Sequence, residues 1–331
     1  FFVHMACRIL ATLICNSASS DTIQRHTMCI SNDGEVYFAG KNGKDGYNLE
    51  YQEITKLPSL NNIVSIACGD VHTLCLDRNG NVFSFGSNEF GQLGLGKRKL
   101  FSRLKHSFDS YKISLQEPQR IDLPVIKQIS CGGNFSCCLS EKGEVYSFGR
   151  SDFCVSHGHG TNEDIHYPRK LNSLKNINFV VCGGYHTICK SENGTIYCWG
   201  SNADGQLGLS GLYTQTVPVE AWDWPDNVVD IKCGERFTLV LTSDQEVFSC
   251  GYNHGCVLGR EVDEDCSSTL GKIEELKNIV RIECGKEHSC CIDANNDLFV
   301  FGSNGSGELG LEDVHHSVSK PIKHPSLSNI I

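Results

Sequence analysis

Along nearly the whole chain, apolar and polar positions alternate over short stretches. One set reads Ile63-Val-Ser-Ile-Ala-Cys, then His72-Thr-Leu-Cys-Leu, then Val82-Phe-Ser-Phe, with Gly, Asn, Asp or Ser between them. A period of two marks β-strands. A fourth short stretch follows a glycine-rich turn and carries proline near its start, at Pro118, Pro168, Pro218 and Pro321. Proline cannot donate to a central ladder, so this strand is predicted on an outer edge.

The four-stretch set repeats. A Cys-Gly pair opens it at Cys68-Gly69, Cys131-Gly132, Cys182-Gly183, Cys233-Gly234 and Cys284-Gly285, and an aromatic-Gly position closes it at Gly86, Gly149, Gly200, Gly251 and Gly302. From the second of these pairs onward the step is 51 residues. Four strands and their turns fill such a step at ordinary lengths, leaving no room for a crossover helix. A unit of this kind cannot bury both its faces alone, so the repetition predicts an all-β propeller of four-stranded antiparallel blades. A more worn first copy contains His26-Thr-Met-Cys-Ile and Gly34-Glu-Val-Tyr-Phe-Ala-Gly40, with Ile9–Cys15 as its innermost strand. The six units are 1–57, 58–123, 124–171, 172–221, 222–276 and 277–331, taken as one domain.

The pattern Cys-Gly-x-x-His-Thr followed by Gly-x-Val-Phe-x-Phe-Gly-Ser-Asn-x-x-Gly-Gln-Leu-Gly is met by residues 68–96. Cys182-Gly-Gly-Tyr-His-Thr with Trp199-Gly-Ser-Asn-Ala-Asp-Gly-Gln-Leu-Gly208 meets it again. These residues resemble the regulator-of-chromosome-condensation repeat family, clearly over 60–324 and weakly before that. The resemblance implies a propeller that usually has seven blades, against six units here. Two arrangements stay open. In the favoured one the ring closes with six blades and residues 320–324 supply the outer strand of the first unit. In the other, a further blade lies outside this sequence, as the partial copy Leu327-Ser-Asn-Ile-Ile331 suggests.

Charge and cysteine content narrow the function. A net charge of −10 over 331 residues argues against phosphate-backbone binding, so no nucleic acid is expected as a direct partner. The basic stretch Lys97–His106 is a local exception within the longest unit. Nineteen cysteines fall mostly on strand phases where small buried side chains pack, which predicts reduced thiols and a cytosolic or nuclear protein. No membrane association is expected, because the Ile9–Cys15 apolar run is too short to span a bilayer. Cys154, His157, His159 and His166 cluster where the third unit departs from Gly-Gln-Leu-Gly, but the spacing is poor for zinc and no metal or cofactor is assigned. Phosphate-loop, nucleophile-elbow and His-Glu-x-x-His motifs are absent, so no catalytic residues are assigned and no catalytic chemistry is expected.

What varies within the repeat is the pair between Cys-Gly and the His/Phe phase: Asp70-Val71, Gly133-Asn134, Gly184-Tyr185, Glu235-Arg236 and Lys286-Glu287. In a propeller these link the innermost strand to the next and gather at one mouth of the central channel. Variable residues on a constant frame make a recognition surface. The candidate partner-binding set is Asp70, His72, Asn134, Tyr185, Glu235, Arg236, Lys286, Glu287 and His288. The phase of His72 and His288 also accepts Phe135 and Phe237, which marks it as chiefly a packing position. The resemblance implies that acidic and histidine side chains in such loops can contact a Ran-type GTPase, with Asp70 the nearest match. The sequence therefore predicts a monomeric protein-recognition propeller, with a Ran-like guanine nucleotide exchange factor, or a recognition module of a larger ubiquitin ligase or kinase, as alternatives.

Overall fold

The computed structural model describes residues 9–17, 24–40, 55–96, 114–151, 156–311, 314 and 316–328. The basic stretch Lys97–His106 and Cys154 lie outside them. The described residues form six antiparallel sheets of four strands each. The first holds β1 (Ile9–Ser17), β2 (Gln24–Ser31), β3 (Val36–Gly40) and β4 (Thr55–Lys56). The second holds β5 (Ile63–Cys68), β6 (His72–Asp77), β7 (Val82–Ser87) and β8 (Ser114–Arg120). The third comprises β9 (Ile126–Cys131), β10 (Phe135–Ser140), β11 (Val145–Gly149) and β12 (Ile165–Lys170). The fourth runs β13 (Ile177–Cys182), β14 (His186–Ser191), β15 (Ile196–Gly200) and β16 (Gln215–Glu220). In the fifth are β17 (Val228–Cys233), β18 (Phe237–Thr242), β19 (Val247–Tyr252) and β20 (Cys266–Lys272). The sixth ends the set with β21 (Ile279–Cys284), β22 (His288–Asp293), β23 (Asp297–Gly302) and β24 (Val318–Ser328).

The last of these corrects one expectation. Residues 320–324 do not complete the first sheet; they pair with β23, Lys323 opposite Phe299 and Ile322 opposite Val300. The first sheet takes its fourth strand from its own sequence, with Lys56 opposite Tyr37. The route was misjudged because β4 is only two residues long and carries no proline to mark it.

The chain divides into two compact units, one containing residues 1–151 and 163–172, the other 152–162 and 173–331. In each unit the apolar core lies between successive sheets. Leu74, Ile126, Cys138 and Phe148 share one cluster in the first unit; Phe237, Leu258, Ile282 and Phe301 share one in the second. The second strand of a blade is covered on both faces, so β6, β10 and β18 are buried at every position. Such strands lose the alternation of exposure while keeping β-branched and small residues.

The innermost strands each carry one extra residue. Register shifts isolate Val64, Asn178, Val229 and Val280 opposite no partner. A bulge of this kind turns its extra side chain away from the pleat. Accordingly all four are exposed although three are valines.

The Gly-Gln-Leu-Gly turn is the part that joins one blade to the next. Its asparagine accepts the leucine N–H through Oδ1, as in Asn88 to Leu93 at 3.0 Å and Asn202 to Leu207 at 2.9 Å. Its first glycine has positive φ and touches the following blade's outer strand. A Cβ on Gly91 would stand 2.6 Å from the His166 Cα, and one on Gly205 2.4 Å from the Ser268 Cα. Only glycine fits both demands. Residues 156–160 keep this geometry without its sequence: His157 takes the buried leucine place and Gly158 has φ 76°. That packing accounts for His157, which sits with its ring 5.4 Å from that of His159.

Candidate functional site

The mouth loops begin where the innermost strands end, and within each compact unit backbone bonds tie neighbouring loops together. In the first unit the Asp70 N–H donates to the Gly133 carbonyl at 2.9 Å. In the second, the Gly184 N–H reaches the Glu235 carbonyl at 3.0 Å and the Glu235 N–H reaches the Lys286 carbonyl at 2.9 Å. A second set of bonds anchors the loops from behind, from Ser87 to Val71, Arg150 to Asn134, Ser201 to Tyr185, Tyr252 to Arg236 and Ser303 to Glu287. All of these use main-chain atoms alone, so the fold fixes where the loops lie whichever side chains they carry.

The side chains of these loops differ in what they engage. Asp70, Asn134, Tyr185, Glu235, Arg236, Lys286 and His288 are half-buried, and Glu287 is exposed. Lys286 pairs with Glu235 at 3.3 Å across neighbouring loops. The Arg236 guanidinium pairs with Asp204 at 2.8 Å and lies 4.8 Å over the Tyr252 ring, which in turn stacks on His254. Burial raises the Asp204 carboxyl above its ordinary range while Arg236 opposes the shift.

His72 is not part of the surface. It is buried, as is its counterpart His186, and each donates Nε2–H to a hydroxyl on the next blade: His72 to Ser136 at 2.8 Å, His186 to Thr238 at 3.0 Å. The direction is fixed because each hydroxyl spends its own proton on a turn carbonyl, Ser136 on Gln92 at 2.9 Å and Thr238 on Gln206 at 2.7 Å. The other ring nitrogen, Nδ1, is buried without a partner in both. Desolvation pushes both imidazoles down to about 3. They are neutral braces between blades, and Phe135 and Phe237 fill the same place by packing alone. His288 is less enclosed; burial lowers it while Glu308 and Glu287 oppose the shift. The His26 side chain lies outside the described residues.

A charged group that the loop pattern does not reveal lies on the innermost strands of the second unit. Lys232 bonds Glu283 at 3.2 Å and approaches Asp230 at 3.8 Å, and Arg281 meets Glu283 at 3.3 Å. The equivalent positions elsewhere hold Ser65, Ala67, Gln128, Ser130, Phe179 and Val181. The signal was therefore a change of residue class at one strand phase, visible only after the bulge is placed. Among the described residues no three His, Cys, Asp or Glu side chains converge as a metal site. Fifteen described cysteines stand outside disulfides, and Cys68 is the exception to the all-reduced expectation, being in a disulfide.

Four-stranded antiparallel blades that repeat the Cys-Gly loop and the glycine-framed turn along the chain are those of a β-propeller. The chain belongs to the regulator of chromosome condensation (RCC1) repeat family. Its repeat patterns match residues 79–139, 142–189, 193–241 and 244–292, and a second pattern of the same description matches five segments from 63–92 to 279–308. The Arabidopsis thaliana ultraviolet-B receptor UVR8 is 31% identical over 311 residues, covering 90% of this chain and 68% of the receptor. The Homo sapiens probable E3 ubiquitin-protein ligase HERC6 is 32% identical over 306 residues, or 86% of this chain, but the chain spans only 28% of that ligase. Among solved structures, Prp20p from Saccharomyces cerevisiae superposes with a TM-score of 0.78 at 20% identity, over 95% of this chain and 76% of its own. Human WBSCR16 gives 0.77 at 25% identity over 96% and 83%.

Proposed function

We propose that this propeller recognises a protein partner through its mouth loops and performs no catalytic chemistry of its own. The observation that carries the reading is the division of labour in those loops: main-chain bonds hold the position, and side chains of differing charge present the surface. Glu287, Asp70, Asn134, Tyr185 and the paired Glu235, Lys286 and Arg236 are the contact set, with His288 at its edge and His72 left out because it is buried. The fifteen cysteines outside disulfides favour residence in cytosol or nucleus, with the Cys68 disulfide the one feature against it, and the chain is taken to act as a monomer. The test is affinity capture with the purified chain against a variant carrying Asp70→Ala and Glu287→Lys. Partners lost by the variant, with an unchanged melting curve, support the mouth; identical capture by both removes it from consideration.

A second reading is a guanine nucleotide exchange factor for a Ran-like GTPase. Asp70 in Cys-Gly-Asp-Val-His-Thr favours it, as does the likeness to Prp20p, whose structure was described together with its binding to Gsp1p and histones. Such a factor stabilises the nucleotide-free GTPase and needs no catalytic base. Release of a fluorescent guanine nucleotide from a Ran-type GTPase decides it: acceleration lost on Asp70→Ala supports exchange, and no acceleration by the folded chain rejects it. The third reading, a recognition module within a longer ligase or kinase, is supported by the relatedness to HERC6 and to Xenopus laevis Nek9, of whose lengths this chain covers 28% each.

A further inference from the structure

Beside Val217, Ile322 and Leu327 on outer strands, the exposed apolar side chains of the second unit are of two kinds. Val229 and Val280 are bulge residues and owe their exposure to the one-residue offset. Leu212, Tyr213 and Trp222 have no such cause, and Tyr213 and Trp222 are 80% and 79% exposed. They flank β16, and one contact draws the flanks together while another folds the first flank on itself. The Ser210 hydroxyl donates to the Asp223 carboxylate at 3.0 Å, and the Tyr213 ring folds back over Gly211, 3.5 Å from where a Cβ would stand. Two residues beyond Trp222, Trp224 is buried and donates its indole N–H to the Leu207 carbonyl at 3.2 Å. The same short segment thus buries one indole and holds the other in solvent.

The charge along this part of the chain has one sign. Between Lys190 and Lys232 the chain contains no Lys, Arg or His, but six carboxylates: Glu192, Asp204, Glu220, Asp223, Asp226 and Asp230. Asp204 is committed to Arg236 and Asp230 faces Lys232. Glu220, Asp223 and Asp226 lie within four residues of Trp222. Strand addition to β16 is disfavoured, because Pro218 has no N–H and the Thr216 carbonyl already accepts from Gly160 at 2.9 Å. Recognition there falls to side chains.

We propose that Leu212, Tyr213 and Trp222 form a docking surface for an extended, arginine- or lysine-rich segment of a partner protein, separate from the mouth. Cationic side chains stack on the two aromatic rings, and Glu220, Asp223 and Asp226 complement the flanking charges. Exposed aromatics of this kind are the residues that anchor interfaces.

The chain has three tryptophans, and Trp199 and Trp224 are buried, so acrylamide quenching reports on Trp222. The probe is an eight-residue peptide of alternating Arg and Ser, with a Glu-Ser peptide as control. Protection of Trp222 that saturates with the arginine peptide and is absent with the control is the expected result. By calorimetry, Trp222→Ser and Tyr213→Ser should each weaken binding by about tenfold or more with unchanged melting curves. The triple exchange Glu220→Gln, Asp223→Asn and Asp226→Asn should weaken it and flatten its salt dependence. Unchanged quenching at millimolar peptide overturns the proposal. So does undiminished binding by Trp222→Ser, which would place the peptide on carboxylates elsewhere. Protection that rises with protein concentration alone would assign the patch to a second copy of this chain and likewise overturn it.

Discussion

His72 and His186 make the interior of each compact unit sensitive to acid in a way that can be worked out. Both imidazoles are held neutral, down to about 3 in the fold against 6.5 in the open chain. Between these values the unfolded chain binds a proton that the folded chain refuses, so stability is full above pH 6.5 and falls as pH drops towards 3. At pH 5 each histidine should cost about 2 kcal/mol relative to pH 8, and the two together about 4 kcal/mol, at about 1.4 kcal/mol per unit of pKa difference. That is a large part of the roughly 5–15 kcal/mol by which folded proteins are stable. The perturbation is His72→Phe with His186→Phe, since phenylalanine already fills this phase at Phe135 and Phe237. Ser136 and Thr238 keep their bonds to the turn carbonyls of Gln92 and Gln206. The double variant should lie within about 1.5 kcal/mol of the parent at pH 8, as volume-conserving core exchanges do, yet lose most of the stability decline between pH 6.5 and 5. Urea midpoints measured at half-unit pH steps provide the comparison, in a window where surface carboxylates such as Glu144 stay ionised. If the double variant shows the same decline as the parent, the histidines do not carry it and the brace argument is wrong.

Glycine replacements should separate by position: Gly205→Ala meets the Ser268 Cα at 2.4 Å, whereas Gly307→Ala, at nearly the same φ, meets nothing within 4 Å. Thermal melts should show the first as strongly destabilising and the second as costing about 1 kcal/mol. Cys256 occupies the same turn position with φ 63°, so Cys256→Gly should raise stability by up to about 1 kcal/mol by relieving the left-handed strain, with no gain counting against the backbone account. Arg236→Met removes the cation that pairs with the largely buried Asp204; a loss of about 1–3 kcal/mol is expected. Adding Asp204→Asn should recover most of it, and chemical denaturation of the single and double variants checks both.

Much of the fold was legible because every unit states the same pattern. A bulge, an asparagine-capped turn and a buried second strand leave the same residue types at the same phase several times over. The places that failed are those where one copy is atypical. The two-residue β4 has no proline, and its neighbour in the pattern, the proline-bearing β24, was wrongly lent to the first sheet. The packing role of His157 could not be read from sequence because the turn around it lacks the glutamine and leucine while keeping their geometry. For the candidate site, the loop positions could be named from sequence, but not whether a side chain faces inward. His72 and Glu287 stand at adjacent positions of the repeat, yet one is buried and the other lies in solvent. The Lys232–Glu283 group stayed hidden because it depends on which residues of an innermost strand lie beyond its bulge.

The loop-to-loop bonds from Asp70 to Gly133 and from Glu235 to Lys286 have a consequence for how such a protein can change. Because those bonds ask nothing of the side chains, substitutions at these positions leave the loop-to-loop bonds in place, and on the proposed function they would change what is recognised. Randomising Asp70, Asn134, Tyr185 and Glu287 together should therefore yield a library in which most members still fold, and binding selection would act on specificity alone.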